Sequence, residues 1–177
     1  MGSSMKFAYA DPPYLGMGKK MYGKLHENAA IWDAVENQRD LIRNLIKDYP
    51  DGWAMSCNPK DLQYLLIDPN IRVCAWTKTF HQIRQTTVQY AWEAVLLYGG
   101  RVEGKRKPMV RDWISGVIAM RKGLQGAKPD YFNNWILDLL NAKEGDLMVD
   151  MFSGSKSMQK PCDDRGVIYD SPEVYLP

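Results

Sequence analysis

The residues best suited to carry out chemistry are Asp11-Pro12-Pro13-Tyr14. They directly follow residues 6–10, a short and mostly apolar run. Such a run predicts a buried strand, and the two prolines end it abruptly. Because proline fixes its own φ and favours extended backbone in the residue before it, the acid, the carbonyl groups and the ring leave the strand in a nearly fixed arrangement. A tight turn after a strand is the alternative interpretation.

This arrangement suits chemistry on an exocyclic amine such as that of adenine. A carboxylate and a proline carbonyl that accept the two N–H bonds of the amine would offset the positive charge that develops on attack. The ring of Tyr14 can hold a flat base that has left its stack.

A second candidate site lies near the end of the chain. Residues 147–152 predict a strand, Ser153-Gly154-Ser155-Lys156 follow it, and residues 166–170 predict another strand that ends in an acid. A strand, a turn with glycine and a later strand ending in a carboxylate form the general plan of a site for an adenosine-bearing cofactor. The glycine lets the backbone approach the ligand, and the acid binds the ribose hydroxyls.

Length and composition limit the class of protein. The chain has 177 residues, 45% of them apolar, which predicts one domain with a real core rather than a disordered chain. Its formal net charge of +2 gives no global signal for nucleic acid, so any such surface must be local. The three cysteines form no CxxC pair, which argues against structural zinc and favours reduced thiols in the cytoplasm. No apolar run approaches ~20 residues, so we expect no membrane-spanning helix.

The elements that must position these residues follow from apolar periodicity and turn signals. We expect a helix over 27–47, whose apolar face is formed by Ile31, Val35, Ile42, Leu45 and Ile46. Further helices are expected from Asn58, as N-cap with Pro59 in the first position, to Leu66, and over 129–141. The remaining strands are expected over 53–57, 72–80 and 89–98, and the last two form a plausible antiparallel pair. Residues 160–164 are a poor helix.

Two basic segments are candidates for contact with nucleic acid. The glycine-containing loop after Tyr14 is interpreted as a lid with Lys19, Lys20 and Lys24 facing phosphate. Residues 99–126 combine basic side chains with Trp113, which fits a nucleic-acid surface; those side chains are Arg101, Lys105, Arg106, Lys107, Arg111, Arg121 and Lys122. An ordinary solvated loop remains the alternative for both segments.

The motifs of the two halves of the chain together resemble those of a known family. Its cofactor half is matched by Lys128-Pro129, which opens a helix, and by the later segment from Asp150 to Ser155; its catalytic motif is matched by Asp11-Pro12-Pro13-Tyr14. The family is the DNA amino-methyltransferases that act on adenine N6 or cytosine N4, here in a permuted order most similar to small phage-encoded DNA methylases. The resemblance covers nearly the whole chain from Met5, with residues 1–4 looking like an expression leader. It divides the chain into a catalytic half (5–98), a basic loop region (99–126) and a cofactor half (127–177).

The resemblance implies an α/β, Rossmann-like S-adenosylmethionine-dependent methyltransferase fold. This fold would be circularly permuted and truncated, with a mostly parallel sheet and an antiparallel edge hairpin. The strand over 6–10 should then lie beside the strand over 147–151, with their carboxyl ends together.

The resemblance also implies roles for individual residues. Asp11 would orient and polarise the amine, Pro12 would supply a carbonyl next to Pro13, and Tyr14 would stack on the base. S-adenosylmethionine would be bound by Lys128, reaching its carboxylate, by Asp170, holding its ribose, and by a lining of Asp150, Phe152, Ser153, Gly154 and Ser155.

The implied partner is DNA, in the cytoplasm (of the host if phage-encoded), with no metal and no membrane. Adenine N6 is the preferred target, and cytosine N4 and RNA stay open. A chain this short leaves little room to read bases, so specificity should be low or be supplied by a second copy or a partner protein.

Two departures from the family pattern favour a second hypothesis, a methyltransferase-like nucleic-acid-binding protein that has lost turnover. Lys156 stands where the family has a glycine, and the chain ends soon after Asp170. A cation near the sulfonium of the cofactor would cost roughly 2–3 kcal/mol at an effective dielectric of ~20 and a separation of ~6 Å. Lys156 could instead pair with the carboxylate of the cofactor or point away.

Overall fold

A computed structural model describes residues 3–24, 28–79, 87–103, 109–117 and 127–172 of the chain. The strands are β1 (Lys6–Ala10), β2 (Gly52–Cys57), β3 (Arg72–Lys78), β4 (Trp92–Gly99), β5 (Trp113–Gly116), β6 (Leu147–Asp150) and β7 (Ile168–Asp170). The α-helices are α1 (Val35–Asp48), α2 (Leu62–Leu65), α3 (Asp130–Leu140) and α4 (Gln159–Asp163). Shorter turns of helix cover Gly18–Tyr22, Ala29–Asp33 and Pro59–Asp61. No helix within these described ranges is long and apolar enough to cross a membrane.

The strands form one seven-stranded sheet in the order β5-β3-β4-β2-β1-β6-β7. β4 is antiparallel to both of its neighbours, β2 and β3, and every other pair is parallel. The predicted mostly parallel sheet and the antiparallel β3–β4 pair are confirmed. The pair does not form the edge, however, because β5 pairs with β3 outside it. Only four residues long and half exposed, β5 carries too weak an apolar pattern to stand out within a basic segment.

Each face of the sheet carries its own hydrophobic core, because side chains alternate along a strand. Phe7 and Tyr9 of β1 pack with α3 and α4 on one face, and Ala8 and Ala10 pack with α1 and α2 on the other. β1 is an interior strand of the sheet, and both of its faces are covered. The chain is thus a three-layer α/β domain in which Asp11 directly follows an interior strand.

Parallel pairing fixes the ends of β1 and β6 side by side, as predicted. Tyr9 is level with Asp150, and the N–H of Met151 donates to the carbonyl of Tyr9 at 2.9 Å. Asp11 and the loop after Asp150 therefore leave the same edge of the sheet. We call this the carboxyl edge; β1, β2, β3, β5, β6 and β7 end there and β4 begins there.

The predicted helix over 27–47 is shorter than expected. Residues 25–27 lie outside the described residues, Ala29–Asp33 form a 3₁₀ turn, and α1 starts only after Ala34, whose backbone is extended (ψ 127°). Asp33 explains the break, since its carboxylate accepts the N–H groups of Gly18 and Lys19 at 2.6 and 3.1 Å. The segment before α1 thus anchors the loop that follows Tyr14.

The other helix boundaries lie close to their predicted positions. Asn58 caps its helix by accepting the N–H of Lys60 at 3.1 Å, with Pro59 in the first position. A short helix, α4, does form where a poor one was expected. Pro161 is tolerated there because it lies in the first turn, where its missing N–H has no intrahelical partner to lose.

Arg101 lies at the opposite edge of the sheet from Asp11, which corrects its assignment to a nucleic-acid surface. Its guanidinium is 2.5 Å from the carboxylate of Asp146, and the two side chains are 12% and 2% exposed. Asp146 also accepts the N–H groups of Met5 and Lys143 at 2.9 and 2.8 Å. Burial alone would raise the pKa of Asp146, but these hydrogen bonds and the charge of Arg101 lower it. Arg101 is therefore a structural counter-ion.

We expect Arg101→Met to lower the free energy of unfolding by about 3–5 kcal/mol, because Asp146 would become a buried carboxylate without its counter-ion. Urea unfolding followed by circular dichroism measures this change. Arg111→Met is the matched control, since the Arg111 side chain is exposed, and it should change stability by no more than about 0.5 kcal/mol. Equal stability of the two variants would contradict the structural role of Arg101.

Candidate active site

Gln38 fixes the loop that carries Asp11. Its side-chain amide donates to the carbonyl of Pro13 and to that of Trp32, both at 2.9 Å. No residue in the described part of the chain donates to the carbonyl of Pro12, the residue next to Asp11. Sequence reasoning missed Gln38, although its spacing from Leu41 placed a polar residue on the buried face of α1, where it is 1% exposed.

Asp11 and three other ionised side chains lie close together and form what we call the charged cluster: Asp11, Lys78, Glu93 and Lys128. The ammonium of Lys128 lies 3.2 Å from Asp11 and 3.1 Å from Glu93, and Lys78 pairs with the other carboxylate oxygen of Glu93. The exposed fraction is 9% for each lysine side chain, 15% for Glu93 and 22% for Asp11. Two positive and two negative charges balance, which offsets the cost of burying them.

The sheet brings these residues together from distant parts of the sequence. Lys78 ends β3, Glu93 is the second residue of β4, and Lys128 precedes α3. The register of the antiparallel pair sets Glu93 opposite Trp76. Aromatic rings complete the surroundings: the ammonium of Lys128 lies 5.5–5.8 Å from the ring centres of Tyr14, Trp76 and Phe132, within reach of cation–π attraction.

The protonation states follow from this environment. Burial alone would raise the pKa of Glu93, but the charges of Lys128 and Lys78 and hydrogen bonds from Lys78 and Tyr14 lower it to about 2. Burial alone would lower the pKa of Lys128, but Asp11 and Glu93 hold it well above its usual range. Burial raises the pKa of Asp11, and the charge of Lys128 opposes that rise. The cluster therefore holds one carboxylate, Asp11, that is more basic than usual.

Asp150 extends this site into the second half of the chain. It ends β6, is 3% exposed and accepts a hydrogen bond from the hydroxyl of Tyr169 at 3.1 Å. Burial raises the pKa of Asp150 to about 6, and the charge of Asp11 adds to the effect. A buried acid held so close to neutrality is a common feature of functional sites.

The loop after Asp150 presents backbone to the carboxyl edge. Phe152 packs edge-to-face against Trp32, with ring centres 5.0 Å apart. Ser153 is half-buried, whereas Gly154, Ser155 and Lys156 are exposed. Gly154 and Lys156 both have positive φ, at 39° and 53°. Lys156 thus adopts a backbone conformation that favours glycine.

These residues fit a bound adenosine-type cofactor. β6 and β7 are parallel neighbours, so the loop after Asp150 and the exposed carboxylate of Asp170 both lie at the carboxyl edge. Among the described residues, a Cβ on Gly154 would meet only the carbonyl of Phe152, at 3.8 Å, which leaves room for a ligand beside the loop. Parallel α/β sheets bind ligands in this position.

The basic residues expected to contact nucleic acid are divided between the two edges. Lys19 and Lys20 are exposed in the turn Gly18–Tyr22, on the same side as Tyr14. Arg111 is exposed but precedes β5, so it lies with Arg101 at the opposite edge, beside a groove of about 460 Å³. Lys105, Arg106 and Lys107 lie outside the described residues, as do Arg121 and Lys122.

Comparison with known proteins gives the fold. No protein-family model matches the chain, and no curated protein matches its sequence. Among solved structures, the M1.HpyAVI–SAM complex shares 14% identity and a TM-score of 0.61, covering 98% of this chain and 84% of that chain. PvuII DNA methyltransferase (cytosine-N4-specific) shares 15% identity and a TM-score of 0.60, covering 97% and 76%.

TTHA0409 from Thermus thermophilus, complexed with S-adenosyl-L-methionine, shares 17% identity and a TM-score of 0.53, covering 97% of this chain and 81% of that chain. These likenesses show that the chain has the mixed α/β fold of the S-adenosylmethionine-dependent methyltransferases.

The raised pKa of Asp150 predicts a pH-dependent loss of stability. Between the ordinary value of 3.8 and about 6, the unfolded chain loses this proton before the folded protein does, so stability falls as pH rises through that window. The full loss is about 3 kcal/mol. Asp150→Asn should therefore raise the free energy of unfolding at pH 7 by up to this amount and change it little below pH 4.

Chemical unfolding at several pH values tests this effect, with Asp170→Asn as the control because Asp170 is exposed. The same pH dependence in wild type and Asp150→Asn would show that Asp150 does not carry the shifted proton.

Proposed function

We propose that this protein transfers a methyl group from S-adenosylmethionine to an exocyclic amine in DNA, with adenine N6 as the preferred target. The observation that carries the proposal is the position of Asp11, a largely buried carboxylate of raised pKa, next to the carbonyl of Pro12 and to the loop after β6. The structural likeness to PvuII DNA methyltransferase (cytosine-N4-specific) supports the reaction class and keeps cytosine N4 as the alternative target.

The residues around Asp11 provide what such a transfer needs from the protein. Asp11 and the carbonyl of Pro12 accept the two N–H bonds of the amine, which directs its lone pair at the methyl group. Tyr14 stacks on the unstacked base. S-adenosylmethionine, when bound, would supply the methyl group from its sulfonium, with its own sulfur as the leaving group, and the amine that accepts the methyl would become positively charged. Asp11 then takes the surplus proton from nitrogen and releases it to water, a task suited to a carboxylate whose pKa burial has raised.

The second half of the chain would hold the cofactor. Asp170 would bind the ribose hydroxyls, and the lining would be Asp150, Phe152, Ser153, Gly154 and Ser155. Lys128 remains proposed to reach the carboxylate of the cofactor. In the structure the Lys128 ammonium lies between Asp11 and Glu93. To contact the carboxylate of the cofactor, the ammonium would have to move or to bind this third carboxylate in addition to the other two.

DNA would approach the carboxyl edge, where Lys19 and Lys20 are exposed beside Tyr14. Contacts from lysine to phosphate give salt-dependent affinity with little sequence preference. Selectivity would then come from a second copy of the chain or from a partner protein.

A second candidate function is nucleic-acid binding without methyl transfer. The observation that favours it is Lys156, which places a cation in the loop next to the proposed cofactor. The structure weakens this argument, because the Lys156 side chain is exposed and water screens its charge.

Nucleosides from cells that express the protein test the reaction directly. We expect mass spectrometry to detect N6-methyladenine, and we expect Asp11→Asn to lower it at least 100-fold, because the amide cannot take a proton and offsets positive charge poorly. Asp40→Asn, an exposed change on α1, is the control. N4-methylcytosine instead would move the target to cytosine, and no methylated base in the wild type would refute the proposed function.

Calorimetry with S-adenosylmethionine separates the two candidate functions. We expect saturable binding by the wild type and an affinity about threefold higher in Lys156→Gly, since a screened charge ~6 Å from a sulfonium costs under about 1 kcal/mol. Glycine should also relieve about 1 kcal/mol of backbone strain at the positive φ. Lys156→Ala keeps that strain and isolates the effect of charge.

A 30-fold or larger gain in both variants would show that Lys156 blocks the cofactor. Weaker binding in both would show that Lys156 pairs with its carboxylate. Retained DNA affinity with no cofactor binding by the wild type would favour the second candidate function.

A further inference from the structure

Glu93 contacts Tyr14, Lys78 and Lys128 beside Asp11, yet the proposed reaction gives it no task. Its Oε2 accepts the hydroxyl of Tyr14 at 2.6 Å and lies 3.1 Å from the ammonium of Lys128, while its Oε1 pairs with Lys78. Both carboxylate oxygens are therefore occupied. With its pKa lowered to about 2, Glu93 does not itself take a proton near neutral pH.

We propose that Glu93 is a positioning residue that holds the Lys128 ammonium away from full pairing with Asp11 and fixes the ring of Tyr14, so that Asp11 keeps acceptor capacity for the target amine. This inference rests on the proposed function and adds to it a residue outside the Asp11–Tyr14 motif.

The distances show how the Lys128 charge is divided. Its ammonium has three N–H donors, and it lies almost equally far from Asp11 (3.2 Å) and from Glu93 (3.1 Å). If Glu93 lost its charge, Asp11 would be the only carboxylate paired with Lys128 among the contacts in the described ranges. The Lys128 ammonium would then pair more strongly with Asp11, and an incoming amine would compete with it for the carboxylate oxygens of Asp11.

Glu93 also controls the orientation of Tyr14. The backbone before this residue is held by the hydrogen bond from Gln38 to Pro13, and its hydroxyl is held by Glu93. The ring is thus fixed at both ends. A ring that stacks on a base needs such a defined plane, because each rotamer it could otherwise adopt lowers the fraction competent to bind.

Charge balance sets the expected effect of removing Glu93. Glu93→Gln keeps the shape of the side chain but leaves Lys78 and Lys128 facing a single carboxylate, so the cluster gains a net positive charge. Besides Glu93 and Lys128, the titratable groups of the described residues that interact with Asp11 are Tyr9, Tyr14, Tyr22, Lys78 and Asp150. None of these replaces the lost negative charge at Lys128.

The test is a ¹³C NMR titration of the Asp11 carboxyl group in the purified protein without ligands. We expect the pKa of Asp11 to fall in Glu93→Gln and to stay unchanged in Glu36→Gln, an exposed acid of α1. Lys78→Met/Glu93→Gln restores charge balance but leaves Lys128 facing Asp11 alone, so the pKa of Asp11 should return only part of the way towards the wild-type value. An Asp11 pKa that is unchanged or higher in Glu93→Gln would overturn the proposal.

The kinetics of methyl transfer provide an independent test. We expect kcat to fall tenfold or more in Glu93→Gln while KM for S-adenosylmethionine stays within about threefold, and the double variant to recover part of kcat. If Glu93→Gln does not fold, the double variant, whose charges balance, decides the question. A double variant in which both the Asp11 pKa and kcat return fully to their wild-type values would show that Glu93 acts through charge balance alone, and would overturn the proposal. A wild type without transfer would refute the proposed function but leave the titration as a valid test of Glu93.

Discussion

The buried ammonium of Lys128 between Asp11 and Glu93 is the interaction on which the rest of the site depends. It ties together the end of β1, the start of β4 and the entry to α3, three parts of the chain that are far apart in sequence. Burying these charges is costly, and an apolar cluster of the same volume would often be as stable or more so. Their presence at the carboxyl edge therefore supports the proposed chemistry at Asp11.

The two edges of the sheet have different tasks. At the opposite edge, Arg101 and Asp146 form a buried pair that locks the start of β6 to the chain after β4. At the carboxyl edge, burial raises the pKa of Asp150 and of Asp11, which means that their ionised forms lower the stability of the fold. The Arg101–Asp146 pair thus stabilises the opposite edge, whereas ionised Asp11 and Asp150 lower stability at the carboxyl edge, a trade-off often seen at functional sites.

Much of this architecture was predictable because its signals are local. β1, β2 and β6 are short apolar runs bounded by turn residues, and the resemblance of the motifs after β1 and β6 correctly predicted that the two strands are neighbours. Charge composition was a poorer guide. It grouped Arg101 with exposed residues, since a count of basic side chains does not distinguish a buried counter-ion from a phosphate contact.

Gln38 and Glu93 escaped prediction for a related reason. Glu93 is the only charged residue of β4, and Gln38 is one of several polar residues of α1. Only the assembled sheet shows that their partners are Lys128 and the Asp11 loop. The positive φ of Lys156 was likewise invisible in the sequence, although it explains why a glycine would suit that position.

The most direct test of the central claim, that the carboxyl edge around Asp11 is the reaction site, is a crystal structure with S-adenosylhomocysteine bound. The account predicts the ligand on the loop after β6, with its ribose at Asp170 and its sulfur facing Asp11. A ligand bound elsewhere, such as in the groove beside Trp113, would contradict the account.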